Sequence, residues 1–209
     1  MSMNALAVLA IGAMAQVFFS ARVLVQWILS ERAHKVLSPS LFWVLSLAGA
    51  YLLCIYGWLR HDFAIVMGQF VSYYVYLWNI KQKGVWGRLP LALRLVLLFT
   101  PPVVLLLVVN NASAFVHEFF FNADVPLWLL LFGAFGQLLF TFRFVYQYAY
   151  SRRRQVSALP AGFWVISLAG SVSICVYGLL RHDLVLIVGQ SFGIVAYARN
   201  LWIGRGAKI

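Results

Sequence analysis

The feature that most restricts the fold of this chain is an internal repeat. A shift of 121 residues aligns positions 16–79 with positions 137–200 without a gap, and 25 of the 64 aligned pairs are identical. Many identical pairs are polar residues at fixed spacings, which a shared hydrophobic composition does not produce. One structural unit therefore occurs twice, and this duplication determines the architecture of the chain.

The composition indicates that these units belong in a bilayer. The chain has 209 residues, of which 64% are hydrophobic and only 10% are charged. Soluble domains carry about 25% charged residues, so this chain has too few to cover a water-facing surface. The aromatic content of 17% suits a membrane protein, in which amphipathic rings collect at the interfaces with water. The composition therefore argues against a soluble globular domain.

Each repeat contains three apolar stretches that are long enough to cross a bilayer, which takes about 20 residues in a helix. The predicted helices are 5–29, 39–60 and 62–81 in the first copy and 126–150, 160–181 and 183–203 in the second. A further apolar stretch, 89–109, lies between the copies and contains Pro101-Pro102. Bilayer helices tolerate such prolines when neighbouring groups satisfy the carbonyls that lose their donors.

These stretches predict an all-α membrane protein with seven transmembrane helices, in which two parallel three-helix repeats are joined by a linker helix. Because a single helix joins the repeats, the second copy crosses the membrane in the same direction as the first. The predicted domains are residues 1–85 for the first repeat, 86–124 for the linker helix with a periplasmic segment, and 125–209 for the second repeat.

The distribution of charge tests this helix count independently. Seven spans place ten basic residues on one side of the membrane, namely Arg32, Lys35, Lys81, Lys83, Arg88, Arg152, Arg153, Arg154, Arg205 and Lys208. The other side receives Arg60 and Arg181, together with Glu118 and Asp124. Because basic loops stay in the cytoplasm, we expect a periplasmic N-terminus and a cytoplasmic C-terminus. The net charge of +11 thus reflects orientation, and we expect no nucleic-acid partner.

Two arginines lie where a charge is costly. Arg22 and Arg143 occupy equivalent positions roughly 12 Å below the cytoplasmic interface, at ~1.5 Å per residue. An arginine at the centre of a spanning helix costs at least ~2.5 kcal/mol, which favours a function for each. Gln26 and Gln147 follow four residues later on the same helical faces. A phosphate or other head group, which arginine binds bidentately, is one candidate ligand. The alternative is that each arginine binds backbone carbonyls or helps to set helix orientation.

Further residues recur at equivalent positions in both copies. The candidates for lining a binding cavity are the polar residues Gln16, Gln137, Gln69, Gln190, Asn79 and Asn200 and the aromatic residues Trp43, Trp164, Tyr56 and Tyr177. The amides can equally hydrogen-bond between helices, and the tryptophans can anchor helices at the membrane interface. The sequence contains no nucleophile–base arrangement, metal-ligand spacing or phosphate-binding glycine loop, so we expect no enzymatic activity, metal or cofactor.

The spacing of these polar residues resembles that of the lipid A biosynthesis N-terminal domain family. In the first copy the matching residues are Arg22, Gln26, Trp27, Ser30, Glu31, Pro39, Phe42, Trp43, Ser46, Leu47, Gly49, Tyr56, Asp62, Gly68, Gln69, Tyr76 and Asn79. The second copy matches from Gln137 to Asn200 and includes Tyr197-Ala198-Arg199-Asn200. Because the family occurs beside, or fused to, lipid A disaccharide synthase, the resemblance implies location in a bacterial inner membrane.

The helix plan is also similar to that of the SWEET, PQ-loop and KDEL-receptor group, although the Pro-Gln dipeptide of PQ-loop proteins is absent. The two copies differ at two positions of the motif, because Trp27 and Glu31 are replaced by Tyr148 and Arg152 in the second copy. We therefore expect that the copies are not functionally identical.

On these grounds we predict an inner-membrane transporter or flippase of a lipid-linked, polyprenyl-phosphate sugar that serves modification of lipid A or another envelope glycolipid. Parallel repeats can rock about a central cavity, and buried cations suit a phosphate. The alternatives are a non-catalytic membrane partner of a glycosyltransferase and a SWEET-like transporter of a free sugar. The expected partners are a lipid-linked sugar or glycolipid, membrane lipids and, for the first alternative, a membrane glycosyltransferase.

Overall fold

The structure is a computed structural model that describes residues 5–59, 63–109, 126–180, 182 and 184–206. Within these ranges the chain is all-helical, as the sequence predicts. The described residues form seven α-helices: α1 (Ala5–Arg32), α2 (Ser40–Leu59), α3 (Phe63–Gln82), α4 (Leu91–Val109), α5 (Leu127–Arg154), α6 (Ala161–Leu180) and α7 (Leu184–Gly206). A short 3-10 helix, Trp86–Arg88, precedes α4. Of the residues in the charge count, Arg60, Glu118, Asp124, Arg181 and Lys208 lie outside the described ranges.

Three of the described helices are long and apolar enough to cross a membrane, namely α1 from Leu6, α5 and α6. Shorter apolar segments occur in α2 and α4, over Ser40–Tyr56 and Leu91–Val103. Large apolar side chains on these helices are exposed, such as Leu6 at 72% and Leu138 at 66%. Such surfaces fit a lipid environment. The all-helical class is confirmed, whereas the seven membrane spans stay a prediction.

The chain divides into two compact units. Unit 1 comprises Met1–Arg22 and Ser40–Asn122, and unit 2 comprises Val23–Pro39 and Ala123–Ile209. Helix α1 therefore contributes its first part to unit 1, and its last part, with the loop that follows, to unit 2. Each unit is described by itself below.

Close helix packing recurs in the two units at equivalent glycines. A Cβ atom on Gly12 would lie 2.9 Å from Cδ2 of Tyr56 in unit 1, and one on Gly133 would lie 2.9 Å from Cε2 of Tyr177 in unit 2. Only glycine allows the tyrosine ring to approach the backbone so closely. Because Gly12 and Gly133 precede the aligned region by four residues, the structural repeat extends beyond it.

The double proline in α4 is accommodated by tyrosine hydroxyls from α3. Pro101 and Pro102 have no N–H to donate to the carbonyls four residues earlier, those of Leu97 and Leu98. In unit 1, Oη of Tyr73 donates to Leu97 O at 2.8 Å, and Oη of Tyr74 donates to Leu98 O at 3.2 Å. These two bonds replace the missing backbone donors and fix α4 against α3.

The segment before α4 is also held by side-chain bonds. Arg94 donates from Nε to Leu89 O at 2.8 Å and from Nη2 to Gly87 O at 2.7 Å. Lys83 lies in the same connection, where partial burial lowers the pKa of its ammonium group. These two bonds hold the start of α4 to the segment that precedes it.

Candidate functional site

The predicted phosphate-binding arginine of unit 1 lies inside an aromatic and hydroxyl cage. Arg22 is only 6% exposed, and its Nη1 donates to Ser46 Oγ at 3.0 Å and to Tyr76 Oη at 3.1 Å. Its guanidinium carbon lies 4.6 Å from the ring centroid of Phe19 and 5.5 Å from that of Phe42. Ring faces attract a cation, most strongly where water is excluded. The cage therefore stabilises the charged guanidinium.

Unit 2 contains the same cage around the equivalent arginine. Arg143 is also 6% exposed, and its Nη1 donates to Tyr197 Oη at 3.2 Å. Its guanidinium carbon lies 4.1, 4.8 and 5.6 Å from the ring centroids of Phe140, Phe144 and Phe163. The two arginines therefore have similar surroundings within their own units. Phe19, Phe42 and Tyr76 of the first cage correspond to Phe140, Phe163 and Tyr197 of the second, whereas Phe144 stands where the first copy has Val23.

The glutamines one turn after these arginines hold the loop between the first two helices of each repeat. Gln26 is fully buried in unit 2, and its Nε2 lies 2.9 Å from Ser30 Oγ and 3.2 Å from Leu37 O. The same nitrogen donates to Oδ1 of Asn200 at 2.8 Å. The backbone N–H of Leu37 donates to Ser30 Oγ at 2.9 Å, so serine and glutamine bind both polar groups of one loop residue.

The second copy repeats this loop anchor within unit 2. Gln147 Nε2 donates to Ala158 O and to Ser151 Oγ, each at 2.9 Å. The backbone N–H of Ala158 donates to Ser151 Oγ at 3.1 Å. The polar pair in each first helix therefore orders its own loop, whether or not it also contacts a ligand.

Other predicted cavity residues pack inside the units. Asn79 and Asn200 are fully buried and donate to the carbonyl oxygens of Val75 and Ala196 on their own helices, at 2.8 and 2.9 Å. Trp43 is fully buried and meets Phe42 edge-on, with ring centroids 4.8 Å apart.

Trp164 in unit 2 is 1% exposed and makes the equivalent contact with Phe163 at 4.9 Å. In both units the tryptophan ring is thus a core group that also packs against the tyrosine of the arginine cage, Tyr76 or Tyr197.

The remaining predicted residues are accessible to different degrees. Gln16 and Gln137 are exposed on α1 and α5, in the middle of helices that are long enough to cross a bilayer. Gln69 and Gln190 are half-buried, and Gln190 Oε1 accepts from Ser171 Oγ at 3.0 Å. Tyr56 and Tyr177 are half-buried against the glycines described above.

One partly exposed group of side chains was not among the predicted binding residues. Trp27, Glu31, Phe192, Arg199 and Trp202 form a connected set on α1 and α7 of unit 2, which we call the Glu31–Arg199 cluster. The sequence marks these residues only weakly, because they differ between the two copies and the internal repeat does not single them out. Two indications were available in the sequence: the replacement of Trp27 and Glu31 in the second copy, and the helical spacing of four residues in α1 and three in α7.

No group of three or more His, Cys, Asp or Glu side chains among the described residues is arranged to hold a metal ion. Within the same residues the only acid–base pair in contact is Glu31 with Arg199.

Comparison with known proteins identifies related chains. The Lipid A Biosynthesis N-terminal domain family matches residues 11–81 and 132–202, two regions that are offset by the same 121 residues as the internal repeat. The lipid-A-disaccharide synthase of Chlamydia felis is 28% identical over 202 residues, covering 92% of this chain and 32% of the relative. Those of Chlamydia caviae and Chlamydia pneumoniae are 27% and 26% identical over similar lengths. The chain spans about a third of the length of these relatives. No solved structure matches it.

These findings correct two predictions. The relatives are named as synthases, so both the transport function and the expectation that no enzymatic activity is involved are wrong. Parallel repeats and buried cations suggested transport, but a helical architecture does not determine what a protein does. We recognised no catalytic arrangement in this sequence, but that observation says nothing about the activity of relatives that are about three times as long. Because the family matches both repeats, the chain belongs to the Lipid A Biosynthesis N-terminal domain family.

Proposed function

We propose that this chain acts in lipid A synthesis as the membrane part of a lipid-A-disaccharide synthase activity, where it binds a sugar that carries lipid chains. The observation that carries this proposal is the alignment of 92% of the chain with proteins of that name. Such a reaction joins lipid-bearing sugars, which lie at a membrane surface with their chains in the bilayer. A bundle of apolar helices with a few accessible polar groups suits such a substrate.

The membrane arrangement that goes with this function is part of the proposal. Seven spans in two parallel repeats, with the N-terminus in the periplasm and the C-terminus in the cytoplasm, would place both repeats in the inner membrane with the same orientation. The excess of basic residues on one side supports this orientation. The triplet Arg152–Arg154, which is exposed at the end of α5, would then face the cytoplasm.

Among the predicted binding residues, we propose that Gln16 and Gln137 contact the substrate directly. They are exposed on helices of spanning length, where an amide that faced only lipid would lose hydrogen bonds. Arg22 and Arg143 lie about 9 Å further along the same helices, at ~1.5 Å per residue. A phosphate that reached either guanidinium would have to share it with the surrounding hydroxyls and rings, so we assign the arginines to positioning these helices.

A direct test measures lipid-A disaccharide formation in membrane vesicles from cells with and without this chain. We expect its deletion to lower the rate of formation about tenfold, and we expect re-expression to restore it. Gln16→Leu should raise the KM for the lipid-bearing sugar. The matched control is Gln82→Leu at the exposed end of α3, which should leave the KM unchanged. An unchanged rate after deletion would refute the function, whereas equal effects of the two leucine variants would refute only the contact.

A further inference from the structure

The Glu31–Arg199 cluster connects the end of α1 with one face of α7. Arg199 Nε donates to Glu31 Oε2 at 2.9 Å, and its Nη2 donates to Oε1 of the same carboxylate. Trp27 Nε1 also donates to Oε2, at 3.2 Å. The guanidinium carbon of Arg199 lies 4.7 Å from the ring centroid of Trp202, and the ring centroid of Trp27 lies 6.3 Å from that of Phe192. All five residues belong to unit 2.

The cluster occurs in only one copy of the repeat. The second-copy positions equivalent to Trp27 and Glu31 hold Tyr148 and Arg152, and the first-copy positions equivalent to Phe192, Arg199 and Trp202 hold Val71, Trp78 and Lys81. The buried arginine, glutamine, serine and tyrosine, in contrast, recur in both copies. A group that one copy lacks is not required to form the three-helix repeat. The cluster therefore calls for an explanation other than folding.

The polar groups of the cluster keep unused hydrogen-bonding capacity at the surface. The side chains of Arg199 and Glu31 are 35% and 41% exposed, and Trp202 is 69% exposed. A guanidinium has five N–H donors and a carboxylate about four acceptor sites, so the contacts within the cluster leave donors and acceptors free for a ligand. Exposed ion pairs also contribute little to stability, so a purely structural role for this pair is a weak explanation.

We propose that the Glu31–Arg199 cluster binds the hexose head group of a lipid. The exposed face of Trp202 would pack against the apolar face of the sugar ring, while Glu31 would accept from sugar hydroxyls and Arg199 would donate to them. A neutral sugar suits the cluster better than a phosphate does, because the carboxylate of Glu31 neutralises Arg199 and repels anions. The inference rests on the proposed function and names the part of the substrate that this surface recognises.

The test uses the full chain in phosphatidylcholine nanodiscs, with its eight tryptophans labelled by 5-fluorotryptophan. Fluorine NMR then reports on single rings, and Trp202→Phe assigns the signal of interest. The probes are hexyl β-D-glucoside, 1-hexanol, hexyl phosphate and glucose. We expect the Trp202 signal to titrate with the glucoside about tenfold more tightly than with any of the other three. The signal of Trp128, which is 61% exposed on α5, reports non-specific partitioning and should not distinguish the probes.

The four probes give separate outcomes. Equal titration by the alcohol would show that only the alkyl chain binds, and tighter titration by hexyl phosphate would show an anion site. Glucose binding as tightly as the glucoside would show that the ligand is a free sugar. Each of these three results overturns the proposal.

Variants of the polar pair test the same surface in a second way. Glu31→Gln and Arg199→Met should each weaken glucoside binding about tenfold without changing the thermal midpoint by more than about 4 °C. The matched control is Arg153→Met, an exposed arginine of unit 2 outside the cluster, which should leave glucoside binding unchanged. Unchanged binding in both cluster variants would assign the pair a structural role and contradict the proposal.

Failure of this inference can be told from failure of the proposed function. If Trp202→Ala leaves the KM for the lipid-bearing sugar unchanged while deletion of the chain still lowers the rate of synthesis about tenfold, only the head-group site is refuted. If deletion has no effect on synthesis, the proposed function is refuted irrespective of glucoside binding.

Discussion

The two units have similar interiors but differ in the side-chain contacts outside those interiors. Each surrounds a buried arginine with phenylalanine rings and a tyrosine hydroxyl, and packs a tryptophan beside it. Unit 1 alone uses Tyr73 and Tyr74 to bind the carbonyls released by the double proline. Unit 2 alone contains the Glu31–Arg199 cluster.

This difference separates the residues that the repeat needs for folding, which occur in both copies, from residues that occur in one copy only. The recurring residues of the shared interior are buried and contact one another, although Gln16 and Gln137 recur and are exposed. The two features that occur once either hold α4 against α3 or lie at the surface. We expect that equivalent substitutions in the two shared interiors lower the unfolding free energy equally. Substitutions elsewhere should lower it unequally in the two copies.

The largest effect is expected for the core tryptophans. Trp43→Ala and Trp164→Ala each remove a fully packed ring, which costs about 3–5 kcal/mol of unfolding free energy. Because the two rings have matching neighbours, the two losses should agree within about 1 kcal/mol when measured by reversible unfolding in mixed detergent. A loss confined to one copy would show that the two interiors are not equivalent.

The next effect should appear in unit 1 alone. Tyr73→Phe leaves the carbonyl of Leu97 without its side-chain donor, at a cost of about 1–3 kcal/mol. The second-copy residue at the equivalent position is Ile194, so unit 2 has no corresponding bond. Unfolding free energies of Tyr73→Phe and Tyr74→Phe should show the larger loss for the more buried Tyr73.

A double-mutant cycle tests the origin of that loss. Pro101→Ala restores a backbone N–H opposite Leu97 O, so Tyr73→Phe should cost less in this background, with a coupling of about 1 kcal/mol. Additive effects would show that the hydroxyl does not replace the proline's missing donor.

A smaller effect, again equal in the two copies, is expected for the loop anchors. Ser30→Ala and Ser151→Ala each remove the acceptor for one loop N–H, that of Leu37 or Ala158. Each should cost about 1 kcal/mol. Hydrogen exchange of these two amides should accelerate to a similar extent, and acceleration in only one copy would contradict the shared role.

The smallest effect on stability is expected in the Glu31–Arg199 cluster. Glu31→Gln should lower the unfolding free energy by less than about 1 kcal/mol, because the ion pair is exposed. The loss should also shrink between 0.1 and 1 M salt, which screens exposed charges. A large loss that does not depend on salt would mean that the pair is part of the fold.

The repeat, the helical class and the residues of the shared interior could be predicted from the sequence. Each of these appears as repeated residues or apolar stretches when the chain is aligned with itself. Arg22 and Gln26 were selected for this reason. Their surroundings were not predictable, because Ser46 and Tyr76 approach Arg22 only after three helices pack. The sequence also could not show that Gln16 is exposed and Asn79 is buried, because both are amides that recur in apolar helices.

By itself the sequence determined that one three-helix unit occurs twice and that its surfaces suit lipid. Hydrophobic length and repeated polar spacing are properties of the linear chain, so they need no tertiary information. Tertiary structure alone decided which polar groups satisfy one another and which stay accessible. The helix faces that meet bring together residues that are far apart in the chain, such as Glu31 and Arg199, and their distances and burial exist only in the folded unit.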